Sequence, residues 1–128
     1  MARIVERDVA LSEMNLRGII VQTTASRTLE PSDSGIMFVS TYVGNVEYTL
    51  PAVADGKGKI FLFIQADDGN LKITSTAANI VVRGQTATTQ QTSVAYNSNP
   101  EGSACAVMGD GTRYLFLNFT GTEPDTLS

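Results

Sequence analysis

Five consecutive large apolar residues, Ile60-Phe61-Leu62-Phe63-Ile64, constrain this chain more than any other stretch. A run this short, rich in β-branched and aromatic residues, reads as a strand buried on both faces. It is preceded by Val46 to Leu50, where Tyr48 and Leu50 alternate with Glu47 and Thr49 as on a half-buried strand. Pro51 lacks an amide donor and biases Leu50 towards extended geometry, so the first strand should stop there. Gly56 and Gly58 then allow the chain to turn back. The unit is strand, loop, strand, and its second strand is the expected centre of the core.

Around that unit the chain alternates short β-rich segments with turn residues. Gly18 to Thr24 reads as the first strand, Ala25 to Gly35 as a connector, and Ile36 to Tyr42 as the second strand. Gly44-Asn45 is a turn. Asp67-Asp68-Gly69-Asn70 has the composition of a tight hairpin turn leading into Leu71 to Thr74. Asn79 to Val82, Ser103 to Met108 and Arg113 to Phe119 are further strands, the last two joined by a Gly109-Asp110-Gly111-Thr112 hairpin. Gln85 to Asn99 offers little to bury and reads as an exposed loop or a strand pair projecting from the body. The expectation is an all-β fold: a β-sandwich or jelly-roll-like small barrel of about eight or nine short antiparallel strands. At 128 residues the chain is one such body, residues 18–121, with an N-terminal arm (1–17) and a loose C-terminal tail (122–128).

Composition narrows the chemistry. The chain has no histidine, which removes Ser-His-Asp and Cys-His nucleophile systems and the usual zinc sites together. Its single cysteine, Cys105, sits in a strand-like apolar run with no second thiol to pair with, and reads as a small buried hydrophobe. Asp67 and Asp68 are adjacent, so on extended chain they point to opposite sides, and Asp-Asp-Gly-Asn falls short of a calcium loop. Gly56-Lys57-Gly58-Lys59 lacks the spacing of a phosphate loop. A net charge of −4 with scattered basic residues argues against nucleic acid. No apolar run reaches membrane-spanning length, and no secretory signal pattern opens the sequence. The reading is therefore no enzyme, no cofactor, no metal, no membrane partner. Binding or assembly remains.

The N-terminal arm carries the candidate contact residues. Ile4, Val5, Val9, Leu11, Met14 and Leu16 are interleaved with charges that include Arg7 and Arg17. Such a segment is too charged to form a private core and too apolar for a neutral linker, so it reads as an arm that orders on a partner. In the body, Ile36 to Tyr42 and Ile60 to Ile64 carry apolar residues on both faces, more than one core needs. That predicts burial of one face between protomers.

The order of several short motifs resembles a module of tailed-phage virion proteins. They are Arg27-Thr28-Leu29, Ser32-Asp33-Ser34-Gly35, Phe38, Tyr48-Thr49-Leu50-Pro51-Ala52, Gly56, and the aromatic strand at Phe61 and Phe63. The chain is similar in this to small capsid decoration (cement) proteins, and to pieces of head and tail fibres. The resemblance spans roughly Arg27 to Ile64. It implies a β-sandwich or jelly-roll body that binds the major capsid protein on the outside of a phage head as a homotrimer, made in the host cytoplasm. The alternative it leaves is a fibre or tail adhesin domain that binds a host-surface glycan or receptor.

Overall fold

A computed structural model describes residues 16–67, 69–82, 90–96, 102–119 and the backbone of 125–127. The chain is all-β and forms a two-sheet sandwich. Its first half winds rather than folds into hairpins. Strand β1 (Gly18–Gln22) lies in one sheet and β2 (Ser26–Thr28) in the other. The chain then returns to the first sheet for β3 (Ile36–Ser40), crosses for β4 (Val46–Thr49), returns for β5 (Ile60–Gln65) and crosses again for β6 (Leu71–Thr74). Three coils are stacked in this way, so β1, β3 and β5 pair in parallel, as do β2, β4 and β6. Parallel neighbours need a long crossover connection. Here the strand in the opposite sheet supplies it.

The second half closes the sandwich with mostly antiparallel pairs. β7 (Ile80–Val81), β9 (Ala104–Gly109) and β10 (Tyr114–Asn118) join the first sheet, whose order is β1-β3-β5-β9-β10-β7. β8 (Ser93–Tyr96) and β11 (Asp125–Leu127) join the second, whose order is β11-β8-β6-β4-β2. β9 lies antiparallel to β5 and β8 antiparallel to β6, which ends the parallel winding in both sheets.

The core lies between the sheets. Phe61 and Phe63 point inward from β5, and both are fully buried, as are Phe38 and Tyr48. Phe63 stacks on Phe38 (5.7 Å between ring centres) and lies 4.9 Å from the Tyr48 ring, so one aromatic triad ties β3, β4 and β5 together. Arg27 reaches in from β2 over the Phe38 ring, at 5.4 Å, and pairs loosely with Asp33 at 3.9 Å. The run Ile60 to Ile64 is thus the heart of the body, between β3 and β9.

A polar row seals one end. Gln22, Ser40 and Gln65 are register neighbours, all buried, at the ends of β1, β3 and β5. The Gln22 side-chain amide donates to the Thr24 and Ser26 carbonyls and that of Gln65 to the Asp67 carbonyl, so the amides satisfy corner backbone where the chain leaves the sheet. The corners themselves stack closely. A Cβ at Gly69 would collide with the carbonyl oxygens of Tyr42 and Gly44 in the coil below.

Several expectations are corrected. The strands are not antiparallel throughout but mixed, and eleven are formed among the described residues. The Asp67 to Asn70 segment is no hairpin: it carries the chain from β5 in one sheet to β6 in the other. The connector after β1 contains β2, and the C-terminal tail contributes β11, paired with β8. Within the supposed surface stretch Gln85 to Asn99, Ser93–Tyr96 is a core strand with Val94 and Tyr96 buried; 83–89 and 97–101 lie outside the described residues. The β9–β10 hairpin is present as expected, with Asp110 accepting from the Thr112 and Arg113 amides.

Candidate interaction surface

Alternation along a strand sends successive side chains to opposite faces, and the pairing register aligns them across the sheet. On the outer face of the six-stranded sheet this produces three rows. One is Val21, Val39, Ile64 and Ala104, extended by Phe119 just past β10, whose amide bonds the Ala104 carbonyl. The middle row is Ile19, Met37, Leu62, Ala106 and Leu117. The third is Ile60, Met108, Leu115 and Val81. Each of these residues is apolar. At the β1 edge the third row continues from Ile60 to Gly35 and Arg17, and the Arg17 side chain lies over Gly35.

These side chains are not a second interior. At the margins Ile19 is 63% exposed, Val21 55%, Leu117 41% and Phe119 60%. Towards the centre Met37, Val39, Leu62 and Ile64 are half-buried against one another. Ala106 is shut in between Leu62 and Leu117, yet does not belong to the core cluster between the sheets.

The outer face of the five-stranded sheet is the opposite in character. Its rows are Ser26, Glu47, Lys72 and Ala95, then Thr28, Thr49, Thr74 and Ser93. Such polar outward positions are what a solvated sheet face shows. At the starts of β2, β4 and β6 this side also holds a shallow groove of about 390 Å³, lined by Ser26, Asn45, Glu47, Asn70 and Lys72 among others. There the Asn70 side-chain amide donates to Asn45 Oδ1 at 2.8 Å.

Of the arm residues singled out from the sequence, Ile4, Val5, Arg7, Val9, Leu11 and Met14 lie outside the described residues. Leu16 is 46% exposed just before β1. Arg17 is engaged by its own chain: Nη1 donates to the Ser32 and Ser34 carbonyls, and its amide bonds the Gly35 carbonyl. Cys105 faces inward, and burial pushes its thiol far above the ordinary range, which suits a packing role. Among the described residues no cluster of three or more cysteine or carboxylate side chains could hold a metal ion. Backbone amides at Thr112 and Arg113 hold the Asp110 carboxyl below its usual range, as expected of a turn cap.

The sequence signal for the apolar face was visible in β3 and β5. Its continuation through β1, β9, β10 and β7 was not, because only the register shows that their outward residues are neighbours. Compared with family models, curated proteins and solved structures, the chain matches none. The functional reading therefore rests on the surfaces themselves and on the motif resemblance.

Proposed function

We propose that this chain is a structural virion protein: a capsid decoration protein that binds the outside of a phage head as a homotrimer and stabilises the shell. The observation that carries an assembly role is the contrast between its two outer faces, one apolar along its rows up to Arg17 at the β1 edge and one polar. A water-exposed monomer gains nothing from the first, whereas a protein built to be covered on one side needs it. The phage setting is supported by the motif resemblance. Its residues Arg27, Phe38, Tyr48 and Phe63 form one connected group in the winding, so the resemblance concerns an architectural unit rather than scattered matches.

A clamp that touches several capsid subunits at once gains by multivalency, because later contacts are effectively intramolecular. The major capsid protein is the partner this requires, met through the N-terminal arm with Arg7 and the aliphatics around it. The role assigns the chain no catalysis and no cofactor. The test is rebinding to undecorated heads: the protein should co-sediment with them and saturate, and cryo-electron microscopy should place its density on the shell. Density on the tail instead favours the second reading, an adhesin domain. The polar groove beside Asn45 and Asn70 is the feature that would serve that role, and binding of a glycan there would show as protection of Lys72 from amine modification.

A further inference from the structure

We infer that the outer face of the six-stranded sheet is a self-association surface, covered by further copies of this chain, with Leu62 at its centre. This names the partner of that face. It rests on the proposed decoration role only for its place on a shell, and its physics is independent of it.

Three observations select a second copy as the occupant. The first is area. With about 4.8 Å between strands and about 6.7 Å between same-face neighbours, the three rows span roughly 450 Å². A standard interface buries about 800 Å² per partner, of which about 57–65% is apolar, or roughly 450–520 Å². The face is the size of one such apolar centre, with polar margins left to form the rim.

The second is charge. The chain carries −4, so copies repel overall, and an interface is least opposed where it brings no carboxylates together. The rows of the apolar face carry no carboxylate, and the charge at their β1 edge, Arg17, is held by the Ser32 and Ser34 carbonyls of its own chain. They are the surface across which like molecules approach without opposing carboxylates.

The third is self-complementarity. Near a two-fold or three-fold axis the same residues of different copies meet, so they must accept one another. A sheet face of Leu, Ile, Val, Met and Ala satisfies this, because apolar contact is non-directional and sheets pack face to face. A foreign partner fixed in register by hydrogen bonds would require polar groups that these rows lack.

The test uses the full chain. Sedimentation at micromolar concentration should give a whole multiple of the 13.6 kDa protomer, and Leu62→Glu should sediment as a folded monomer by far-ultraviolet circular dichroism. Should Leu62→Glu not fold, thiol labelling decides, since Cys105 is buried and silent. Leu117→Cys should label at least about tenfold more slowly than Thr28→Cys, with the protection lost on dilution. A monomeric intact chain overturns the inference, as does Leu62→Glu retaining the intact mass. Equal labelling of the two cysteines overturns it too. Protection of Leu117→Cys in a chain that sediments as a monomer means that a segment of the same chain covers the face, and likewise overturns it. The decoration role fails separately: a chain that self-associates but ignores heads upholds the interface and removes the shell.

Discussion

Tyr114 donates its hydroxyl to the Pro51 carbonyl at 2.7 Å, linking β10 to the loop that follows β4. The same ring lies against Gly56, where any Cβ would strike the hydroxyl. The contact fastens the loop between the second and third coils to the antiparallel half of the body. It explains why that loop contains Gly56.

Tyr114→Phe should therefore cost about 1–3 kcal/mol, because the buried Pro51 carbonyl loses its partner. The Gly56 backbone should stay in place, since the ring is retained. Urea unfolding measures the loss, and an unchanged midpoint would mean that water replaces the hydroxyl.

Alkaline pH should act through the same residue. Burial, with the Asp55 carboxylate beside it, pushes the Tyr114 hydroxyl up to about 12 from an ordinary value of 10.0. The folded form thus holds its proton where the unfolded chain releases it. Its contribution is complete below pH 10 and declines as the pH rises from 10 towards about 12. Unfolding midpoints across that range should fall, and fall less in Tyr114→Phe.

Phe63→Ala removes the ring shared by Phe38 and Tyr48 and should cost roughly 3–5 kcal/mol. Because Phe63 faces the core, the loss should not vary with protein concentration. Leu62→Glu, one residue away on the outer face, should instead change the concentration dependence of melting. Equal behaviour of the two variants would mean that the faces of β5 are not distinct.

Gly69→Ala should be strongly destabilising, on the order of 2 kcal/mol or more, since a methyl there has to displace two carbonyl oxygens of the neighbouring corner. Gly58→Ala meets open space and costs only its backbone strain, at φ +74°. Comparing the two melting temperatures separates crowding from strain.

Deleting residues 2–16 should leave the β-body folded, because every described strand, from Gly18 onward, is retained. Arg17 remains to hold the Ser32 to Gly35 turn. Rebinding to undecorated heads should be lost or sharply weakened in a sedimentation assay. Undiminished decoration would assign the capsid contact to the body alone.

Much of this protein is local in origin. The all-β class, the central place of Ile60 to Ile64, the buried Cys105 and the hairpin at Asp110 follow from alternation, β-branching and turn chemistry, which act within a few residues. What the tertiary structure decided is pairing. Asp-Gly-Asn chemistry turns a chain equally well into a hairpin or around a corner, so the residues after β5 could not reveal that β6 lies in the other sheet. β8 was hidden because its first residue, Ser93, and Gln91 just before it are polar yet buried, and β2 because Arg27 points inward, its charge resting on an aromatic ring. The candidate surface shares this limit. Each strand shows two apolar sides on its own, but a continuous face exists only once Met37, Leu62, Ala106 and Leu117 are set side by side by hydrogen bonds between segments distant in sequence.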